Sequence, residues 1–383
     1  MEFEFNEEQR MLRSSVRRML DEVATPEYVR ATDREGRYPY EVYDGFVKLG
    51  LVAMAFPQAY GGLGGGIMDF VAVSEEIGRT SYDYLGGYGT SVFNGMNLLH
   101  SASEAHKREF LPKLIDGSIR MSIAMTEPSA GSDAGAMRTT ARRDGEHWIL
   151  NGQKVFSTGS GARNTVISLY AKTDMSAHYK NGISLFLVDN TTPGLELRKL
   201  DTLGRRSIGT YEIFLDNVRV PADRLVGEVN KGWHYMLAGL QLERMMTTAG
   251  YCGAAQSVVD LALRYAKERR QFGQPIGDFQ AIAHMLADMQ TEVEAARMLM
   301  LKAAWEMSTG RDALKTLSMA KLLASETYVK AANNGMQIMG GYGYVMEYDM
   351  QRHYRDARST TIAAGTSQMQ RNLIARQMGL SPR

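Results

Sequence analysis

The sequence predicts an α+β chain built in three parts: an N-terminal α-helical domain over residues 1–122, a middle β-sandwich or barrel domain over 123–232, and a C-terminal four-helix bundle over 233–383. Three changes of texture predict it. Up to about Arg120, apolar residues recur at helical spacing, as in Phe46, Leu49, Val52 and Val71, Val73, Ile77, with a Gly-rich break at Tyr60 to Gly66. From Ile123 to Lys231, short β-branched and aromatic runs appear between turn signals: HWILNGQKVF, TVISLYAK, ISLFLVD and YEIFLDNVRVP. The pair Asn151-Gly152 reads as a hairpin turn between two such runs. After Gly232 long helical periodicities return, divided at Gly310 and at Gly340-Gly341-Tyr342-Gly343.

Composition narrows the function classes. At 383 residues the chain exceeds one ordinary core, and its 44% apolar and 23% charged residues are those of a soluble globular protein. A net charge of +1 gives no global field to gather nucleic acid or an anionic membrane, so neither is expected as a partner. The single cysteine, Cys252, permits no intramolecular disulfide and reads as a small buried thiol. The start, MEFEFNEEQRML, lacks the basic and apolar regions of a signal peptide, and no run is long enough to span a bilayer, so a cytoplasmic enzyme is expected. None of the seven histidines stands at ligand spacing, and no metal is expected.

The segment opening at Trp233 is the most informative. Trp233, Met236, Leu237 and Leu240 mark one helix face, and extending it brings Glu243 onto the stripe, with Arg244 beside it. Two readings stand. Glu243 pairs with a nearby arginine, as buried acids commonly do, or it is a general base strengthened by partial burial.

Several segments together resemble the acyl-CoA dehydrogenase family over nearly the full length: MTEPSAGSDAGAM, LNGQKVFSTGSGA, LGRRSIGTYEIFLDNVRVP, ERRQFGQPIGDFQAI, MQIMGGYGYVMEYDMQRHYRDAR and AGTSQMQRNLIAR. The resemblance implies FAD as cofactor, an acyl-CoA substrate, electron-transferring flavoprotein as redox partner and a homotetramer. The chemistry it implies is concerted: a base removes the α-proton while the β-hydrogen leaves as hydride to the flavin.

Residue by residue, the resemblance puts Met125, Thr126 and Ser132 on a flavin loop, Ser132 also near the CoA chain. Glu127 orders that loop. Phe156, Ser157 and Thr158 lie against the flavin ring, with Phe156 where Trp is more usual. Arg269, Gln271 and Phe272 match a segment that reaches the flavin of a neighbouring subunit, and Gln280, Gln337, Gly340 and Gly341 match further flavin contacts. Thr366 and Gln368 open the last helix toward the cofactor, although Thr366 also reads as a plain N-cap and Gly340-Gly341 as a turn.

One departure decides the base. The commonest family base is a Glu in a Tyr-Glu-Gly-Thr segment, where this chain has Ala363-Ala364-Gly365-Thr366. Isovaleryl- and long-chain-type members have a small residue there and carry the base in a Leu-Glu-Arg segment, present here as Leu242-Glu243-Arg244. The resemblance therefore favours Glu243 as catalytic, with Arg244 and Gly365 on the substrate side. Tyr88, Val92, Phe93 and Met96 fall where members shape the acyl pocket, suggesting a short, branched or cyclic group, though they equally fit a helix core. Asp356 reads as paired with a local arginine. Reduction of an enoyl-CoA at the same site, a member that keeps FAD without net redox chemistry, and a non-enzymatic assembly protein are the competing functions.

Overall fold

Helix signals sit where the helices begin. Asn6 and Gln9 form a reciprocal capping box at the first, and Thr25 caps the second ahead of Pro26, which closes on Gly36 in left-handed backbone. The computed structural model describes residues 4–382. Six helices come first: α1 (Glu7–Val23), α2 (Pro26–Glu35), α3 (Tyr40–Lys48), α4 (Ile67–Thr80), α5 (Tyr82–Ser101) and α6 (Glu104–Ile115). Among the described residues no helix is long and apolar enough to cross a membrane.

Eight strands follow: β1 (Arg120–Ala124), β2 (Thr140–Asp144), β3 (His147–Thr158), β4 (Thr165–Lys172), β5 (Ile183–Asp189), β6 (Leu195–Lys199), β7 (Thr210–Pro221) and β8 (Leu225–Val226). Their order is β6-β7-β3-β2-β4-β5-β8, with β1 parallel to β4. β4 meets β1 along Thr165 to Leu169 but β2 only at Lys172, so the sheet folds over at that corner. Trp148, Leu150, Val218 and Val220 from one limb then share a core with Ile167, Leu169, Phe186 and Val188 from the other. The opposite face of β4, through Val166 and Tyr170, joins the helical core.

The Asn151-Gly152 hairpin expected above does not form. β3 runs straight through both residues, and the β2–β3 turn lies instead at Gly145, with φ 56°. Gly152, at φ 146°, sits at a register shift between β3 and β7, where a β-carbon would come within 2.6 Å of Thr139 Oγ1. The glycine serves a bulge, not a turn.

The C-terminal part holds α7 (Gly232–Glu268), the two-residue strands β9 (Arg270–Gln271) and β10 (Gln274–Pro275), then α8 (Gln280–Ser308), α9 (Leu314–Met339), α10 (Gly341–Tyr344), α11 (Met350–Thr360) and α12 (Ser367–Gln377). The breaks expected at Gly310 and Gly340 are present, both at positive φ. α7 crosses α4 at glycines. A β-carbon on Gly78 would lie 2.3 Å from the Gly250 carbonyl oxygen, and one on Gly253 would lie 2.0 Å from that of Glu75. Only glycine allows two helix backbones so close, and this crossing fixes the preceding turns of α7, which carry Glu243. Glu75 and Glu76, buried on α4, bind Arg13 from α1, and Glu75 also binds Arg297 from α8.

Candidate active site

Glu243 lies half-buried on α7, a helix that packs against α4, α5, α8 and α9. The expected stripe is only partly core: Met236 is buried, Trp233 and Leu240 are half-buried, and Leu237 is 48% exposed. A periodic apolar face that stays half open is what a helix lining a cleft presents. Burial raises the Glu243 carboxyl above its ordinary range, against the opposing pull of Arg244, Lys321 and Arg205. Among the described residues its carboxyl makes no side-chain hydrogen bond and no ion pair; only its backbone carbonyl is engaged, accepting from Thr247 Oγ1 at 2.9 Å. Arg244 thus acts on this carboxyl through its charge, without a contact among the described residues. Arg244 is half-buried with Nε unpartnered. The Tyr170 hydroxyl on β4 accepts from Asn97 Nδ2 at 3.2 Å, and burial with the Glu243 charge pushes its pKa up.

The Ala363-Ala364-Gly365-Thr366 loop is bonded to Lys321, whose charge acts on Glu243. Ala364 and Gly365 both have positive φ, 53° and 83°, a strain for alanine of about 1–2 kcal/mol. Lys321, fully buried on α9, holds the loop by donating to the carbonyls of Thr360 at 2.9 Å and Gly365 at 2.7 Å. Gln370 Nε2 adds bonds to the carbonyls of Ala364 and Gly365. Burial lowers Lys321 to about 8, with Arg244 adding to the depression. Neither Lys321 nor Arg205 was singled out from the sequence. For Lys321 a signal existed: it interrupts the buried stripe Leu317, Ala320, Ala324, Tyr328, as Glu243 interrupts that of α7.

The loop from Met125 to Met137 is anchored from beneath. Lys154, fully buried on β3, donates to Glu127 Oε1 at 2.8 Å and to the Met125 carbonyl at 3.1 Å, while Glu127 also accepts from the amides of Arg138 and Thr139. Burial pulls Lys154 down; Glu127, though burial opposes it, is held low by Lys154. Glu127 orders the loop, as expected. Above this anchor Met125 and Thr126 are half-buried and Ser132 is exposed. Phe156 lies in left-handed backbone (φ 61°) at a register shift between β3 and β7, and its ring is 64% exposed. Ser157 turns inward: its hydroxyl donates to the Ile123 carbonyl and contacts Ser160. Its side chain is thus engaged within the β domain. Thr158 is half-buried.

Thr366 and Gln368 line a cavity of about 750 Å³ together with Leu203, Tyr354, Arg358 and Ser367. The buried Ser367 hydroxyl has no partner among the described residues. Thr366 serves as N-cap as well, accepting from the Met369 amide at 3.1 Å. An open polar-rimmed cavity at a helix N-terminus, an orphaned hydroxyl and a strained, exposed aromatic ring fit a flavin dinucleotide. Arg269, Gln271, Phe272, Gln280, Gln337, Gly340 and Gly341 are all exposed and do not line this cavity. Arg269 packs over Tyr342 at 5.7 Å, and Phe272 is 94% exposed at φ 51°.

Of the acyl-pocket candidates, Tyr88 is core: its hydroxyl donates to the Leu51 carbonyl and its ring packs on Phe46. Val92 and Phe93 are buried in the same cluster, and Met96 is half-buried against it. All four thus pack within the helical core. Gly86 and Thr90 of α5 are half-buried as well. Asp356 departs from its expected local arginine pair, accepting instead from the Arg205 amide at 2.6 Å. Cys252 is a buried free thiol, pushed up by burial.

Models of the N-terminal, middle and C-terminal domains of acyl-CoA dehydrogenase match residues 6–118, 122–218 and 230–379. The chain belongs to the acyl-CoA dehydrogenase family, and it is an FAD-dependent oxidoreductase. It is 39% identical to a probable acyl-CoA dehydrogenase, YngJ, of Bacillus subtilis (strain 168), over 99% of this chain and 100% of that protein. It is also 39% identical to the caffeyl-CoA reductase-Etf complex subunit CarC of Acetobacterium woodii, over 97% and 98%. The structure of butyryl-CoA dehydrogenase from Megasphaera elsdenii superposes with a TM-score of 0.93 at 31% identity, covering 99% of this chain and 100% of that one.

Proposed function

We propose that the protein catalyses α,β-dehydrogenation of an acyl-CoA thioester with Glu243 as the base, electrons leaving to an electron-transferring flavoprotein. The observation that carries this reading is the Glu243 carboxyl: partly buried, raised, and unpaired among the described residues. A structural acid would be matched. FAD, when bound, accepts the hydride that leaves the β-carbon. The protein's own part is to take the α-proton on Glu243 and to present the Gly365 amide, fixed through Lys321, to the thioester carbonyl as it gains enolate character. Partial burial keeps water from stabilising the free carboxylate, which makes it the stronger base.

In this reading Met125, Thr126, Ser132, Phe156, Thr158, Thr366 and Gln368 hold the cofactor in one subunit. Arg269, Gln271, Phe272, Gln280, Gln337, Gly340 and Gly341, exposed in the single chain, reach the cofactor of a second copy within a homotetramer. Tyr342, Tyr344 and Met346 add exposed apolar surface beside them, as an intersubunit face requires.

Enoyl-CoA reduction is the second reading, favoured by the likeness to a subunit of a caffeyl-CoA reductase-Etf complex. The same groups then work in reverse. Anaerobic mixing with saturated and with unsaturated CoA thioesters separates the two: a saturated thioester bleaches oxidised flavin in a dehydrogenase, whereas an unsaturated one reoxidises reduced flavin in a reductase. Glu243→Gln is expected to keep FAD and slow either half-reaction by roughly 100- to 10,000-fold. Unimpaired turnover by that variant would remove Glu243 from the chemistry.

A further inference from the structure

A third cation at the site answers to no role described so far. Arg205 lies between β6 and β7 in left-handed backbone, φ 57°. Its amide is fixed on the Asp356 carboxylate at 2.6 Å. The side chain, 15% exposed, runs into the N-terminal helices, where its guanidinium carbon stands 5.1 Å over the Tyr82 ring. Nη2 is 2.6 Å from the point where a β-carbon on Gly86 would be, and Thr158 Cγ2 is 3.6 Å from the same point. The guanidinium thus fills room left by the missing side chain of α5, beside Thr158, and its charge is felt at Glu243.

The protein does not saturate this arginine. Nε is buried and donates to nothing among the described residues. Asp83 Oδ1 is 3.8 Å away, too far for a hydrogen bond, and Asp83 Oδ2 is taken by the amides of Ser207 and Ile208. Asp83 Oδ1 is itself unpartnered among the described residues, so a small shift would pair it with Nε, and the terminal nitrogens would remain to bond a ligand. Of the arginines nearby, Arg352 also leaves Nε and Nη1 without a partner among the described residues, whereas two others are matched. Arg355 forks onto Asp33 and also donates to Gln351, and Arg30 grips Asp349 with two bonds of 3.0 Å. Unmade hydrogen bonds on a buried charged group are costly, and a guanidinium matches a carboxylate in two parallel bonds.

We propose that Arg205 is the specificity-determining cation of the acyl pocket and binds a carboxylate at the far end of the acyl group. The preferred substrates are then CoA thioesters of dicarboxylic acids. Asp83 and Asp356 hold the arginine in place without exhausting its donors. The inference rests on the reading of Glu243 as the base of an acyl-CoA reaction.

The test is anaerobic stopped-flow flavin reduction by the FAD-loaded protein. Succinyl-, glutaryl- and adipoyl-CoA are compared with thioesters in which an isopropyl group replaces the terminal carboxylate, 5-methylhexanoyl-CoA being the partner of glutaryl-CoA. At least one dicarboxylic thioester is expected to outpace its neutral partner by about 10-fold or more in second-order rate. Arg205→Met and Arg205→Gln, checked for bound FAD, are expected to shift that ratio toward the neutral partner by about 10- to 100-fold, the worth of hydrogen bonds to a charged group. Equal rates for charged and neutral thioesters in the wild-type protein, or a ratio unmoved in both variants, would overturn the inference while leaving dehydrogenation intact. Failure of every thioester, neutral ones included, would overturn the underlying reading and the inference with it.

Discussion

Lys321 Nζ holds the Gly365 carbonyl at 2.7 Å and the Thr360 carbonyl at 2.9 Å from a fully buried position on α9. One side chain thereby sets the backbone of the Ala363-Ala364-Gly365-Thr366 loop and places a cation near the Glu243 carboxyl. Both effects are testable in a single variant. Lys321→Met keeps the length of the chain and removes the donor and the charge. Flavin reduction is expected to slow about 10- to 100-fold, the loss of one or two charge-assisted bonds. The acid limb of its pH profile is expected to move to higher pH, because Lys321 opposes the upward shift of Glu243. A purely structural lysine would slow the enzyme without moving that limb.

The raised Glu243 carboxyl also costs stability in a pH-dependent way. Its folded pKa lies above the unfolded value, so the folded chain binds the proton more tightly. Its contribution is present below the ordinary carboxylate pKa and is lost as pH rises through the raised folded value. Glu243→Gln, which cannot ionise, is therefore expected to be more stable than the wild type near pH 8 by ~0.5–2 kcal/mol, as is common when a functional group is relieved. The difference should vanish near pH 4. Thermal unfolding of both proteins at the two pH values measures it, and a variant less stable at pH 8 would contradict the sign.

How much of this was legible in the sequence follows from what periodicity can carry. The stripe on α7 announced Glu243, because a carboxylate at i+3 from Leu240 breaks an apolar face. The same periodicity placed Leu237 in the core, where it is 48% exposed, since it cannot tell a face against protein from a face against a cleft. Asn151-Gly152 misled because a glycine at positive φ serves a bulge as well as a turn, and only the partner strand β7 distinguishes them. Tyr88 and Arg205 needed the fold itself. Their neighbours, Phe46 for one and Gly86 for the other, are far away along the chain.

The buried pair Lys154–Glu127 supports the loop from Met125 to Met137 at 2.8 Å. Lys154→Met removes the cation and leaves a buried carboxylate uncompensated, which typically costs about 3–5 kcal/mol. Lys154→Met/Glu127→Gln is expected to recover part of that loss, since the orphaned charge goes too. Denaturant midpoints of the four proteins of the cycle test it; an additive double variant would mean that the two residues do not act as a pair.

Phe156 holds its ring 64% exposed at φ 61°. Phe156→Gly removes about 1–2 kcal/mol of left-handed strain and little buried area. The flavin-free chain is expected to lose no stability, whereas FAD affinity should fall by about 10-fold from lost aromatic contact. Fluorescence titration with FAD beside thermal unfolding of the flavin-free protein reads both. Unchanged affinity would move the flavin away from this bulge.

The most direct test isolates proton removal from hydride transfer. 3,3-Dimethylbutanoyl-CoA has α-hydrogens but none on its β-carbon, so its flavin half-reaction is blocked while its α-protons stay exchangeable. Incubated with the FAD-loaded wild-type protein in D2O, it is expected to take up deuterium at the α-carbon, read by mass spectrometry. The Glu243→Gln protein, with FAD still bound, is expected to leave it unlabelled. Labelling at the wild-type rate by that variant would contradict the assignment of the base.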